Sequence, residues 1–442
     1  MKQSSILYEN ASQTVFLIDI PTSITLAQDL SRTQQLHSSQ PEPSTTTTTS
    51  TKKRHIISTT PLREPYSSPP EPKTDAARAR LLERIPLAER DYHANLIVPV
   101  RDGLGEIRGC YDQEWCLERV TVDAGEESRK RSFEDVHDHY DGYGYGYGYG
   151  YGSGDDPQPP VILSSTSANY FGCMAELSNA IVKNTSPQSA SLVIPGESPA
   201  KLHVFTIPSL SNFLLCTLST SQPNPAQSLI PGLPQSHKFN LILLDPPWPN
   251  RSVRRSRHYN TQAYFDMDSL SGFIRDILRM HLLPFSYSPE TETQKQSKEC
   301  IAAIWITNAE KPRKAAYDAI HDAGLVICEE WVWVKTTASG EPIMPVDGLW
   351  RKPYEVLVIG KRRDGLEGGV WDGEIVRRII AAVSDVHSRK PNLREVFERV
   401  FFGSGDLRYE ALEVFARNLT AGWWGVGNEV LKFNDKEWWE YR

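Results

Sequence analysis

The sequence predicts an α/β fold for its C-terminal half, a mostly parallel sheet with helices on both faces, preceded by an α+β accessory region. Three observations predict it. From about residue 202 onward, β-rich apolar runs alternate with amphipathic helical stretches. The run Phe239–Leu244 is apolar at almost every position, which a strand needs only when both of its faces are buried, as in a parallel sheet. A chain of 442 residues with 39% hydrophobic content can also fill at least one substantial core.

The elements follow in chain order. Ile6-Leu7-Tyr8 and Thr14-Val15-Phe16-Leu17-Ile18 flank a polar turn at residues 10–13 and predict a hairpin. Isolated hairpins are marginal, so residues 1–31 are expected to pack on the accessory region. Residues 32–74, rich in Ser, Thr, Pro and Gln with a five-threonine run, cannot bury enough apolar area to fold and predict a disordered linker. An accessory domain is expected over 75–200. It opens with a helix near Asp75 that carries Leu81, Leu82 and Ile85 on one face until Pro86 interrupts it, and it includes a second helix from about Asn169 to Lys183. The Gly-Tyr repeat from Tyr143 to Gly152 lies in a low-complexity insertion, 137–158, read as a tolerated loop expansion rather than an RNA-binding element. Over 201–442 the strand candidates are Leu202–Ile207, Phe239–Leu244, Ile301–Thr307, Ile327–Lys335, Tyr354–Lys361, Arg378–Val383 and Ala411–Phe415. Helices fit Ser269–Leu283, Lys311–Ala323 and Asn392–Phe401.

Composition narrows the chemistry. A formal charge of -7 excludes a protein that is basic throughout, so any nucleic-acid contact must come from a local patch. The six cysteines include no CxxC pair and no histidine at metal-ligand spacing, which argues against both a zinc site and a disulfide framework; no metal is expected. No apolar stretch reaches membrane-spanning length and no secretory signal pattern opens the chain, so a soluble intracellular protein without membrane partners is expected. The basic runs Lys52-Lys53-Arg54-His55 and Arg129-Lys130-Arg131 suggest nuclear import, with the cytosol as the alternative.

The strongest chemical signal is Asp245-Pro246-Pro247-Trp248, directly after the buried strand. By chance this tetrapeptide arises in about one chain per thousand of this length, and open α/β sheets bind ligands at the ends of such strands. Its bland reading is an ordinary turn with a tryptophan core anchor. The chemical reading starts from the exocyclic amine of adenine, a poor nucleophile whose lone pair is delocalised into the ring. A carboxylate (Asp245) and a rigid backbone carbonyl (Pro246) can accept the two amine hydrogens and aim the lone pair at an electrophilic methyl. Pro247 fixes the backbone and removes a competing donor, and the Trp248 indole offers a face on which an extruded base can stack. The residue types therefore suit methylation of a nucleobase amine.

Residues 202–433 resemble the eukaryotic adenosine methyltransferases with the DPPW active site, most closely the branch called methyltransferase-like protein four. The resemblance rests on Asp245–Trp248 with Asn250-Arg251-Ser252-Val253-Arg254-Arg255-Ser256, on Lys352-Pro353-Tyr354-Glu355, and on His387-Ser388-Arg389-Lys390-Pro391. It continues through Glu413-Val414-Phe415-Ala416-Arg417-Asn418, Gly422-Trp423 and Gly427-Asn428-Glu429-Val430-Leu431-Lys432-Phe433. It implies a Rossmann-like S-adenosylmethionine-dependent methyltransferase fold, S-adenosyl-L-methionine as donor, and adenine in nucleic acid as acceptor, in RNA such as small nuclear RNA or in DNA.

The resemblance also implies site roles. The donor would be held by Phe415, Arg417, Asn418, Gly427, Asn428 and Glu429, with Arg417 and Asn418 toward its ribose, and by Lys390 on its carboxylate near a helix start. Thr217 and Leu218 stand where relatives commonly carry an Asp near the donor adenine, which leaves that contact to the Thr217 hydroxyl or the backbone. A rival donor loop, Phe402-Gly403-Ser404-Gly405-Asp406, follows a predicted helix rather than a strand and weighs less. Arg251, Arg254, Arg255, Arg257 and His258 follow the catalytic turn and suit substrate phosphates, although a solvated loop would look the same. Lys352 and Glu355 are further substrate or donor contacts, and Tyr354 fits either such a contact or the core. The expected partner is a flipped or single-stranded adenine, and the expected state a monomer, with a heterodimer as the alternative. Two competing functions stand beside this one. The first is a catalytically silent nucleic-acid-binding subunit on the same fold. The second is transfer to cytosine or glutamine, which the Asp and Trp at 245 and 248 disfavour.

Overall fold

The computed structural model describes residues 3–30, 54–67, 74–121, 159–196, 201–219, 228–249, 266–284, 299–349, 351–362, 374–386, 389–403 and 408–442. In the N-terminal part the strands are β1 (Ile6–Glu9), β2 (Val15–Ile18), β3 (Arg54–Ser58), β4 (Val120–Thr121), β5 (Val161–Ile162), β6 (Ala168–Tyr170), β7 (Ile181–Lys183) and β8 (Ala190–Pro195). They continue as β9 (Leu202–Ile207), β10 (Asn212–Leu215), β11 (Leu241–Leu244), β12 (Ile301–Ile306), β13 (Val326–Thr336), β14 (Tyr354–Lys361), β15 (Val376–Val383), β16 (Ala411–Val414), β17 (Trp424–Gly427) and β18 (Trp439–Tyr441).

Twelve of these strands form one sheet in the order β1-β2-β15-β13-β14-β12-β11-β16-β17-β10-β7-β5. Seven of its neighbouring pairs are parallel and four antiparallel, so the sheet is mixed but mostly parallel. The apolar runs explain its burial, because successive side chains point to opposite faces and both faces are covered. Ile242 and Leu244 join a core with Leu96 and Leu104 of the helix Leu87–Cys110, Phe273 and Ile277 of Met267–His281, and Ala316 and Ile320 of Glu310–Asp322. Leu241 and Leu243 join the opposite core with Ile20 and Ile24 of the helix Ile20–Ala27, Phe397 of the helix Arg394–Phe397, and Phe433 and Trp438. The three helices on the first face and the two on the second match the expected α/β layering.

Several expectations about the N-terminal half do not hold. The hairpin β1/β2 forms, but β2 pairs in parallel with β15, making it part of the large sheet; its apolar Val-Phe-Leu-Ile run buries on both faces and needs a full sheet neighbour. It touches the accessory helix as well, through Tyr8 Oη and Glu106 at 3.0 Å. Within the expected linker, Arg54–Ser58 is a strand between β18 and β4, with Ile56 and Ser58 buried and Arg54 stacked over Trp439. The expected helix at 169–183 is instead β6, a short 3-10 turn at Met174–Leu177 and β7, because β-branched Ile181-Val182 completes the main sheet beside β10. Leu202–Ile207 is a strand but belongs to the small sheet β6-β8-β9, so the boundary drawn at residue 201 cuts through an interleaved region. Residues 143–152, with the Gly-Tyr repeat, lie outside the described residues.

Candidate active site

β11 lies between β12 and β16, both parallel to it, so its C-terminal end opens at the middle of the sheet. The Asp245 amide continues the ladder by donating to the Val414 carbonyl at 3.3 Å. Pro246 and Pro247 have no amide hydrogen, so pairing stops and the chain turns away from the sheet. The Trp248 amide then donates to the Pro246 carbonyl at 2.8 Å, closing a three-residue turn. That carbonyl is therefore not free of competition, as the two prolines suggested, and one of its lone pairs is used within the turn.

Asp245 faces an open cleft of about 670 Å³ whose lining includes Lys390, Glu413, Phe415, Arg417 and Asn418. Lys390 Nζ donates to both Asp245 carboxylate oxygens, at 2.8 and 2.7 Å, and lies 3.5 Å from Glu355. Glu355 in turn accepts from Lys335 Nζ at 2.6 Å. Burial opposes the charge on Glu355, but Lys390 and Lys335 outweigh it and hold the carboxyl down at about 2. Lys390 is likewise pulled down by burial and raised overall by Asp245 and Glu355, so it stays cationic. Glu413 goes the other way: burial and the neighbouring Asp245 push it up to about 8 against the pull of Lys390.

The structure brings part of the expected donor set together. Lys390, Phe415, Arg417 and Asn418 line the same cleft as Asp245. Phe415 sits at φ 61°, a left-handed conformation that costs a non-glycine residue roughly 1 kcal/mol or more and that turns the chain abruptly at the end of β16. Arg417 pairs with Glu429 at 2.9 Å, and Lys432 also reaches Glu429 at 2.8 Å; burial opposes the Glu429 charge, but these cations lower its pKa. Gly427 is buried at φ 150°, where a Cβ would come within 3.3 Å of Phe415 Cα.

Other expected residues stand differently. Asn428 is exposed, Thr217 is exposed just past β10, and Leu218 is buried in the core, and none of the three lines the cleft. Lys390 does not sit at a helix start: the helix begins at Arg394 after Leu393, beyond the reach of its first-turn dipole. Trp248 is only 6% exposed and its indole N–H donates to the Trp305 carbonyl at 2.7 Å, so it anchors the turn to β12 rather than presenting an open face. Glu355 joins the charged cluster, whereas Lys352 is half-buried and does not line the cleft. Of the two readings open for Tyr354, site contact or core, it is core, with its hydroxyl 2.8 Å from His93 Nδ1. Arg251, Arg254, Arg255, Arg257 and His258 lie outside the described residues, as do Ser404, Gly405 and Asp406 of the rival loop.

Sequence reasoning missed four contributors. Glu413 carries no signal of its own, since its behaviour comes from burial beside Asp245. Ile24, on the N-terminal helix, is a wall of the cleft, and Gln28 of the same segment donates to the Leu419 carbonyl at 2.7 Å and braces the loop after Phe415. Arg389 is 3% exposed and lines the cleft. Its Nη1 donates to Asp385 and to the Ile57 carbonyl, both at 2.8 Å, while Nε and Nη2 are buried with no hydrogen-bond partner among the described residues. Among the described residues, no cluster of three or more His, Cys, Asp and Glu is placed to hold a metal ion, and no helix is long and apolar enough to cross a membrane.

Comparison with known proteins fits this geometry. The model of the MT-A70 family matches residues 239–429, the span from β11 to just past β17. The "N6-methyladenosine RNA methyltransferase MTA1" of Cryphonectria parasitica is 30% identical over 98% of this chain and 94% of its own length. The "N(6)-adenine-specific methyltransferase METTL4" of Mus musculus is 31% identical over 60% of this chain and 50% of its own length. The "DNA N6-methyl methyltransferase" of Caenorhabditis elegans is 27% identical over 43% of this chain and 45% of its own length. With one of these relatives matching along nearly all of both chains and the family's span bracketing the Asp245 cleft, this chain belongs to the MT-A70 family of methyltransferases.

Proposed function

We propose that this protein transfers a methyl group from S-adenosyl-L-methionine to the exocyclic amine of adenine in nucleic acid, either RNA or DNA. The observation that carries the reading is the convergence of Asp245, Lys390, Arg417 and Asn418 on one cleft at the centre of the sheet. The residues present fit such a donor. The cleft offers a cation at Lys390 for a carboxylate, the Arg417 and Asn418 side chains for ribose hydroxyls, and Phe415, Trp423 and Phe433 for apolar contact. When bound, the donor supplies an electrophilic methyl on a cationic sulfur.

The chain's own groups do the rest. Asp245 accepts an amine hydrogen from the adenine and, with the second lone pair of the Pro246 carbonyl, orients the nitrogen toward that methyl. Lys390 holds the Asp245 carboxylate in place through both of its oxygens, and must share it or yield one oxygen when the amine arrives. Trp248 fixes the turn through β12, so its part is to position Asp245 and Pro246 rather than to stack on the base. A flipped or single-stranded base is required, because the amine cannot reach a recessed carboxylate from within a duplex. The arginines at 251, 254, 255 and 257 belong to the proposal as phosphate contacts; removing one should lower the salt slope of nucleic-acid binding by about 0.7 to 0.9. Nuclear residence and a monomeric state are also part of it.

The test uses labelled donor with RNA and DNA oligonucleotides and identifies the product nucleoside. We expect methylated adenine from the wild-type chain and at least a hundredfold loss with Asp245→Asn, while donor affinity changes far less. Full turnover by Asp245→Asn overturns the assignment. A wild-type chain that binds nucleic acid without methylating it would support a silent subunit instead.

A further inference from the structure

The other carboxylates in and around the cleft are matched by cations. Asp245, on β11, faces Lys390; Glu355, on β14, faces Lys335 of β13 and Lys390; Glu429, after β17, faces Arg417 and Lys432; and Asp385, after β15, faces Arg389 and Arg119. Glu413 is the exception. It lies on β16, lines the cleft, and among the described residues makes no hydrogen bond or ion pair. Its position is fixed by register. Glu413 pairs with Leu243 across β11 and β16, so Asp245, two residues along, points to the same face diagonally across from it, about 7 to 8 Å between Cα atoms and within reach through one water. A half-buried acid that faces the cleft without a cation of its own is suited to being neutral when alone and ionised when a positive charge enters.

We propose that Glu413 is the proton-handling residue of the reaction: it releases a proton when the cationic methyl donor enters the cleft and takes up the proton that the methylated amine sheds. The inference rests on the methyl-transfer reading above. The balance closes. Glu413 loses its proton as the donor's positive charge arrives. The amine lone pair then forms the N–C bond, the S–C bond breaks with its electron pair staying on sulfur, and the donor becomes a neutral thioether. The nitrogen, now cationic, gives its proton to Asp245, the carboxylate that already holds it, and the proton passes to Glu413 on the neighbouring strand. With the donor's charge gone, burial and Asp245 again outweigh the pull of Lys390 on Glu413 and hold it up at about 8, so the proton stays there. One proton leaves per cycle, at donor binding, as the overall reaction requires.

The test reads protons rather than turnover. Calorimetric titration of the full chain with S-adenosylmethionine at pH 7, in buffers of different ionisation enthalpy, should show about 0.9 proton released per donor bound. The thioether product, S-adenosylhomocysteine, should release far less, and Glu413→Gln should abolish the difference. With the wild-type chain alone, donor affinity should rise about 25-fold from pH 6.5 to pH 8.5 and level off above, while product affinity changes much less. The two ligands share the same amino and carboxyl groups, so the comparison isolates the sulfonium. Equal proton counts for donor and product, or a full count in Glu413→Gln, overturns the role of Glu413 and leaves the function standing. Failure of the wild-type chain to bind either ligand overturns both.

Discussion

Replacing Glu355 with Gln removes a charge held between Lys335 at 2.6 Å and Lys390 at 3.5 Å, and the consequence can be worked out from its proton affinity. The carboxyl is lowered from 4.5 to about 2 in the folded protein, because the two lysines outweigh the burial that opposes its charge. A depressed acid stabilises the fold at pH values above its unfolded pKa and loses that contribution as pH falls through the folded one. The full difference corresponds to about 3 kcal/mol. The side chain keeps 24% of its surface exposed, and screening there reduces the expected figure to about 2 kcal/mol. Glu355→Gln should therefore unfold about 2 to 3 °C below wild type at pH 7 in a thermal melt. The gap should narrow below pH 4.5 and close near pH 2. A gap of constant size from pH 7 to pH 3 would refute the reasoning, since it would trace the loss to packing rather than to the two lysines. Activity should fall as well, because Lys390 would then be balanced by Asp245 alone.

Trp248→Phe keeps the apolar bulk but leaves the Trp305 carbonyl without its indole donor, and should cost about 1 to 2 kcal/mol in denaturant unfolding with a drop in methyl transfer that exceeds any change in donor affinity. Asp385→Asn removes the counter-charge of two buried arginines, Arg119 and Arg389, and should destabilise by about 3 to 5 kcal/mol by the same measurement. Gly427→Ala forces a side chain into φ 150° and against Phe415, and should cost about 1 to 3 kcal/mol while weakening donor binding measured by calorimetry.

The parts of this fold that could be read from sequence are those where both faces of an element are buried or where one face alone is apolar. Leu241–Leu244 and Ile301–Ile306 carry unbroken apolar runs, Tyr354–Lys361 carries one over its central four residues, and Met267–His281 carries a clean helical stripe, so local pattern and tertiary environment agree. β17 was hidden because Gly425 and Gly427 resemble a loop, yet Gly425 is needed where a Cβ would come within 2.7 Å of Leu419. β7 was misread as helix because three residues are too few to establish a period. At the site, the placement of Asp245 at the mouth of the cleft was legible because it directly follows a buried strand. The unpaired state of Glu413 was not, because it depends on which cations its neighbours have already claimed, and sequence does not record that pairing. Trp248 was legible as important but not in its orientation, which depends on a carbonyl 57 residues away in the chain.

The pairing of Val15, Phe16 and Leu17 with Ile379, Ile380 and Ala381 also sets a timetable for biosynthesis. The earliest strands emerge from the ribosome some 360 residues before their parallel partner, which at typical elongation rates is a wait of about 20 to 70 s. Through that interval a Val-Phe-Leu-Ile segment has an unsatisfied backbone edge and two apolar faces in water. The helix that carries Ile24 and Gln28 comes from the same early stretch, so the catalytic pocket gains one of its walls only after most of the polypeptide has been made.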